Sequence, residues 1–464
     1  MDKIDDILNK ICTLQTKDGL SFTGYFYKPK KNIWFNFRAE FELEHNLHEH
    51  DFFPTLCGDV NGKEVTILQP YCPTSSHTNG STIFVGKLFF SALIIGTATY
   101  EPIETKHMYT SIPALSWFGL PPVFQINPLF EIEKNDNQGL SASYDKFDFY
   151  IHSARCSFSQ NHQTYTLSNY CDIGLNFKSE TNINEAITEL FRFRQLLCVF
   201  ADYGINFTEP FEFDFGKMIN INGEIITDEN GEPCINTCYA FLNDNEYFDR
   251  VPEIPFRVRY SVLKDDFQEV HKKWLVFFSK NKPLISIYLE ILANKSKKIN
   301  RFLDLVRIVE SYSERNRNDK AIAIQKELND GRLGERHRYI DMFREYARLL
   351  PQNNYMPSLL DNGIICDAKI KGVANDVKLL RDYYTHYGVT PMNGGNSKEE
   401  QAKERFGDDV DNSLYHAQFS RILHLLMLAV IYREIGLSDE IIQNALIGGE
   451  IGRFGYTTES LFDG

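Results

Sequence analysis

Asp249-Arg-Val-Pro-Glu-Ile-Pro-Phe-Arg257 separates two stretches of sequence with different periodicity. Pro252 and Pro255 each lack a backbone N–H and restrict the residue before them, so neither a helix nor a central strand runs through this point. Upstream, from Leu14 to about Tyr170, apolar and polar residues alternate in short runs: LSFTGYFYKP (20–29), KEVTILQPY (63–71), STIFVGKLFF (81–90) and KFDFYIHSA (146–154). A period of two marks half-buried strands. Asn61-Gly62 between two such runs predicts a tight hairpin turn, because both residues tolerate positive φ. NINEAITELFRFRQLLCVFADY (182–203) reads as one amphipathic helix, with Ile187, Leu190, Phe191, Phe193 and Leu197 near one face. FTEPFEFDFG (207–216) and CYAFLNDNEYF (238–248) return to strands or turns.

From Tyr260 onward helical periodicity takes over. Helices are expected near 261–279, 284–313, 335–350, 365–388, 412–436 and 438–447, with glycine and proline mainly between them. Val389 to Asn412 is polar with an Asn-Gly-Gly core and reads as the longest loop of this half. The fold class that follows is α+β and multidomain. A β-rich N-terminal domain with one internal helix (1–255) precedes an all-α helical bundle (256–464).

The chain has 464 residues, 43% hydrophobic and 24% charged, with 36 Phe and 24 Tyr, which is enough to build more than one core. Its nine cysteines are odd in number and scattered, so reduced thiols in a cytoplasm are expected. MDKIDDILNK at the start carries acids and no apolar stretch, unlike a secretory signal. The most apolar runs, Leu88–Thr97 and Leu423–Tyr432, fall far short of the roughly 20 residues a membrane-spanning helix needs. A soluble protein is expected.

The net charge of −14 argues against binding nucleic acid through the whole surface. That charge is segregated, however: residues 256–350 carry 21 basic and 13 acidic side chains between two acidic segments. The basic block includes NKSKKINR (294–301), Arg315, Arg317, Arg336 and Arg338. It reads either as a solvated helical surface or as a guide for an RNA backbone.

KGVANDVKLLRDYYTHYG (371–388) carries the chemistry. Val373, Val377, Leu380, Tyr384 and Tyr387 recur every three or four residues as an apolar stripe, while Lys378, Arg381, Asp382 and Thr385 share a polar face. Arginine suits the non-bridging oxygens of a phosphate, and histidine moves protons near neutral pH. At roughly 100° per residue, Arg381 and His386 lie about 140° apart around the axis, so two copies of the helix facing one another would be needed to enclose one phosphate. Asp382 and His386 are i,i+4 neighbours and can touch, so the carboxylate could hold the imidazole and favour its protonated form. The same Arg-x-x-x-x-His spacing recurs at Arg332/His337, where Gly331 and Gly334 flank the arginine; that second match reads as chance.

LLRDYYTHYG (379–388) resembles the signature of HEPN domains, and a β-rich half before such a helical half resembles the ApeA family of anti-phage defence proteins. The resemblance implies a metal-independent endoribonuclease with no cofactor, in which Arg381, Asp382 and His386 serve catalysis. RNA supplies its own 2′-OH nucleophile, and the product is a 2′,3′-cyclic phosphate. The resemblance further implies dimerisation through the catalytic helices, abortive infection as the mode of action, tRNA or other host or phage RNA as substrate, and a phage-derived trigger, expected to be a protein. Asp382 stands where many HEPN nucleases have Asn. The alternative is a noncatalytic HEPN-like protein for dimerisation or nucleic-acid docking.

Tyr383, Lys378, Arg336 and Arg338 are the candidate RNA contacts, with core packing the competing role for Tyr383. Glu310 in VRIVESYSER could pair with an active-site arginine or stay solvated. His45, His48 and His50 read as a polar loop or strand edge, and Cys234/Cys238 lack a second ligand pair, so no metal site is expected. Trp34, Phe35 and Phe37 read as core, with a recognition surface as the alternative.

Overall fold

The computed structural model describes residues 4–28, 32–40, 54–77, 83–112, 118, 124–126, 132–134, 139–161, 164–205, 207, 210–218, 225–242, 256–293, 298–331, 334–352, 356–386, 396–411 and 414–454. They group into two compact units. The first comprises Met1–Ser116, Pro121–Phe193 and Asn206–Asp249; the second comprises Trp117–Leu120, Arg194–Ile205 and Arg250–Gly464. A large antiparallel sheet therefore precedes a helical region, as the change of period at 249–257 predicts.

Among the described residues of the first unit, fourteen strands hydrogen-bond into one sheet. In spatial order they are Leu140–Ser143, Phe147–Asn161, Thr164–Asn182, Glu104–Ser111, Phe211–Lys217, Ile235–Leu242, Ala92–Ile95, Lys63–Leu68, Leu56–Val60, Ile11–Gln15, Ser21–Tyr27, Trp34–Glu40, Ile83–Phe89 and Tyr71–His77. Neighbours pair antiparallel throughout. Alternation does the work expected of it. Along Ile11–Gln15 every second residue is buried, and Leu14, Phe22, Phe26, Phe35, Val65 and Ile67 join one core without any exposed surface. Aromatic edges lock adjacent strands: the Phe22 and Phe37 rings meet edge-on at 5.3 Å. The predicted turn is present, with Val60 opposite Lys63 and positive φ at Asn61 (57°) and Gly62 (78°).

The expected amphipathic helix is α1 (Ile183–Ala201). It buries Ile183, Ala186, Leu190 and Phe193 at helical spacing, and from Leu196 to Ala201 every residue is buried.

The second unit contains α2 (Tyr260–Leu263), α3 (Phe267–Leu292), α4 (Lys298–Glu327), α5 (Glu335–Tyr346), α6 (Asp367–Thr385), α7 (Lys398–Phe406), α8 (Tyr415–Glu434) and α9 (Asp439–Phe454). Three boundaries differ from the sequence reading. The expected break near 280–283 is a kink inside α3, centred on Asn281 (φ −119°, ψ 22°), two residues before Pro283. Asn281 repairs the kink by donating from Nδ2 to Phe277 O at 3.1 Å. The helix expected at 284–313 is instead the end of α3 followed by α4, which continues well past 313. The polar stretch 389–412, read as one loop, contains α7. A capping box starts that helix: Ser397 accepts from the Glu400 N–H and Glu400 accepts from the Ser397 N–H.

The apolar run Leu423–Tyr432 is the buried middle of α8, whose residues from Ile422 to Tyr432 are all buried. A Gly436 turn at φ 93° ends it, with Leu437 N–H donating back to Tyr432 O at 3.0 Å. Around α8 pack α3, α4, α5 and α9, and α6 is held between α5 and α7. A buried charge cluster ties distant parts of this unit. Asp202 accepts from Arg257 Nε at 2.6 Å and pairs with His424 Nε2 at 2.5 Å, while Arg257 Nη1 reaches Leu446 O at 3.0 Å. Among the described residues no helix is long and apolar enough to cross a membrane.

Candidate active site

Helix α6 starts at Asp367, an acid in the first turn that complements the helix dipole. Arg344 of α5 grips that carboxylate twice, at 2.9 and 2.8 Å, and grips Glu327 at the end of α4 at 2.9 and 3.1 Å. Arg405 of α7 makes a two-pronged bond to Asp376 at 2.8 and 2.7 Å. Along its inner face α6 buries Ile370, Val373, Ala374, Val377 and Leu380. Burying each of the Ile, Val and Leu side chains stabilises by roughly 1.5–3 kcal/mol, and the Ala374 methyl by less. This packing and these clamps set the azimuth of α6, and hence where Arg381 points.

Arg381 points into a cluster of carboxylates. Its Nη2 lies 3.2 Å from Glu310 Oε1 of α4 and 3.1 Å from Glu335 Oε1 of α5, and its Nη1 lies 2.9 Å from Asp382 Oδ1. Glu310 also accepts the Tyr339 hydroxyl at 2.7 Å. Asp382 Oδ2 meets Lys378 Nζ at 3.1 Å and Lys398 Nζ, from the start of α7, at 4.0 Å. Arg381 Nε is buried with no hydrogen-bond partner among the described residues.

The electrostatics follow from this crowding. Burial works against the charged guanidinium, but Glu310, Asp382 and Glu335 more than offset it and raise the Arg381 pKa. Burial alone would raise the Glu335 carboxyl; its own backbone N–H and Arg381 hold it below the usual value instead. Burial, then the Glu310 charge, pushes the Tyr339 phenol well up, so it stays a hydroxyl donor.

His386 is exposed and caps the end of α6, with φ −126° and ψ 30°. Its backbone N–H donates to Asp382 O at 2.8 Å. The expected side-chain contact between Asp382 and His386 is absent among the described residues. The non-helical cap takes His386 off the i,i+4 line, and three cations, Arg381, Lys378 and Lys398, claim the Asp382 carboxylate first.

The remaining candidates separate. Tyr383 is buried, its ring 5.0 Å from Tyr384, so it packs in the bundle instead of presenting a face for stacking. Arg336 pairs with Asp330, and Arg338 with Glu314 at 3.6 Å. Arg317 is buried between Asp341 (2.7 Å) and Glu345 (2.6 Å), which makes it part of the core and not a backbone guide. Phe35 and Phe37 are core, and Trp34 is half-buried beneath Lys87, whose Nζ lies 4.6 Å from the ring. Cys238 is buried, which pushes its thiol up to about 12. Arg332, Tyr387, His45, His48, His50 and residues 294–297 lie outside the described residues. Among the described residues no group of three or more His, Cys, Asp or Glu is placed to hold a metal ion.

Sequence reading missed Glu335, Tyr339 and Lys398. Glu335 and Tyr339 are an i,i+4 pair on one helix face, a signal present in ERHRY but easily passed over beside three basic residues. Lys398 was hidden in a stretch read as loop, although Ser397-Lys-Glu-Glu400 carries the capping-box spacing.

A family model described as ApeA N-terminal domain 1 matches residues 17–274. The match covers the strands from Ser21 to Leu242 and the first turns of α3, and it ends before the cluster around Arg381. No curated protein and no solved structure matches the chain.

Proposed function

Because the chain belongs to the ApeA family of anti-phage defence proteins, we propose that its helical unit is a HEPN-type endoribonuclease acting in abortive infection. The observation that carries this reading is the placement of Arg381 and His386 on one helix, the arginine set in a polar network and the histidine open to solvent at the helix end. A 2′-OH of the RNA attacks the adjacent phosphorus, forming the 2′-O–P bond as the P–O5′ bond breaks. His386 moves the proton and Arg381 stabilises charge on the non-bridging oxygens. A cyclic phosphate and a 5′-hydroxyl end result. No step requires a metal. A second copy of α6 across a homodimer completes the groove, RNA such as tRNA is the substrate, and the trigger is a phage protein.

The test is cleavage of RNA by the purified full chain. Replacing His386 with Ala should lower the rate by about 10²–10⁴-fold, the usual contribution of a positioned acid or base. Unchanged cleavage would overturn the reading, and loss of cleavage in excess EDTA would point to a metal instead. Sequencing the RNA ends after infection reports substrate and end chemistry together.

One observation favours a second reading. Arg381 already has three carboxylates around it, as a purely structural arginine would. On that reading the unit binds or dimerises without catalysis, and H386A changes nothing.

A further inference from the structure

Three cations and three carboxylates meet around α6: Arg381, Lys378 and Lys398 against Asp382, Glu310 and Glu335. Such a cluster is charge-balanced and has no net pull on an anion. A phosphodiester can be held only if one carboxylate gives way.

The three carboxylates are not equally free to do so. The Asp382 side chain is 7% exposed and is shared among Arg381, Lys378 and Lys398. Glu310 is 18% exposed and is fixed by the Tyr339 hydroxyl as well as by Arg381. Glu335 is 34% exposed, is the first residue of α5, and follows Gly334 in extended backbone. Besides Arg381, its own backbone N–H and the charge of Lys378 act on it. A carboxylate oxygen 3.1 Å from Nη2 of a guanidinium takes the acceptor position that a non-bridging phosphate oxygen would take.

We propose that Glu335 is an internal competitor for RNA phosphate: its carboxylate occupies the face of Arg381 that substrate must take, and the site opens when the start of α5 releases it. This rests on the ribonuclease reading above. It assigns the restraint to the helical unit itself. A trigger then needs only to move the first turn of α5 to expose a net positive site.

The experiment measures binding of a 2′-O-methyl RNA oligomer, which lacks the nucleophile, to the full chain at fixed salt, alongside cleavage of the matching unmodified RNA. Glu335→Gln should bind about tenfold tighter than the wild type, and Glu335→Ala should shift in the same direction. Adding Arg381→Gln to Glu335→Gln should cancel the gain. Glu290→Gln removes an exposed carboxylate of α3 outside the cluster and should leave affinity unchanged. Equal binding by the wild type and both Glu335 variants overturns the competitor, as does an equal gain from Glu290→Gln. If affinity rises but no protein cleaves in a His386-dependent way, the competitor stands and the ribonuclease reading falls. If the wild type cleaves through His386 while the Glu335 variants neither bind nor cleave better, the competitor falls and the ribonuclease stands.

Discussion

Tyr339 holds Glu310 where Arg381 can use it. The Tyr339 hydroxyl donates to Glu310 Oε1 at 2.7 Å, and the same oxygen lies 3.2 Å from Arg381 Nη2. The phenol is buried and its pKa is raised, so the donor persists across the working pH range. Tyr339 is therefore a positioning residue for the guanidinium. Tyr339→Phe should cost about 1 kcal/mol of stability, the worth of one hydrogen bond. On the ribonuclease reading it should also lower kcat several-fold with KM nearly unchanged. A parallel fall in thermal midpoint with kcat intact would mean that the hydroxyl serves packing alone.

Arg381 and His386 should respond differently to truncation. Removing Arg381 leaves Glu310, Glu335 and Asp382 facing one another without their shared cation. Breaking a buried pair costs about 3–5 kcal/mol, and partial exposure of Glu335 reduces this to roughly 2–4 kcal/mol for Arg381→Ala. His386 is exposed, so His386→Ala should stay within about 0.5 kcal/mol of the wild type. Urea unfolding of the two variants checks both, and equal destabilisation would contradict the geometry.

Arg317 should behave as a core residue. It is 6% exposed at its side chain and bonds Asp341 and Glu345. Burial would raise the Glu345 carboxyl, but Arg317 and Lys320 together bring it down to about 2. Its stabilising contribution is thus fully present above the ordinary carboxylate range and is lost as pH falls towards 2. Arg317→Ala should destabilise the helical unit by about 3 kcal/mol or more. RNA affinity measured well below the unfolding midpoint should be unaltered, and a reduced salt slope of binding would instead make Arg317 a phosphate contact.

Two buried histidines predict acid sensitivity. Burial lowers His271 to about 3 and also depresses His424, the latter partly opposed by Asp202. Both stay neutral in the folded chain at pH values where the unfolded chain takes up a proton. Stability should therefore fall as pH drops below about 6.5, and His271 should stop contributing to that loss near pH 3. His271→Gln should flatten the dependence of the urea midpoint between pH 6.5 and 5. An unchanged slope would exclude His271 and assign the acid sensitivity to His424 and the carboxylates.

The fold was legible where the pattern is local. Alternation in the first half, the Asn61-Gly62 turn, the helix from Asn182, and the Val373, Val377 and Leu380 part of the α6 stripe each depend on residues within one turn or one hairpin. The prolines at 252 and 255 mark the change of class for the same reason. The misread boundaries are where local signals conflict. Pro283 bends α3 without ending it because Asn281 and the packing of Leu284, Ile285 and Tyr288 compensate. The Asn362-Gly363 turn, with φ 47° and 75°, makes a small hairpin before α6 that the helical context concealed.

By itself, the sequence determined the class of each half, the helix that carries Arg381 and His386, and which residue types could handle a phosphate. Only the tertiary structure decided their partners. Glu310, Glu335 and Lys398 stand 71, 46 and 17 positions from Arg381 in the chain, and no periodicity spans such gaps. They converge because α5 and α7 pack against α6 while α4 packs against α5, and the low-dielectric site then forces each charge to find its opposite. The same packing turned Asp382 away from His386 and buried Tyr383, since burial and charge neutralisation outweigh the face that a helical wheel assigns.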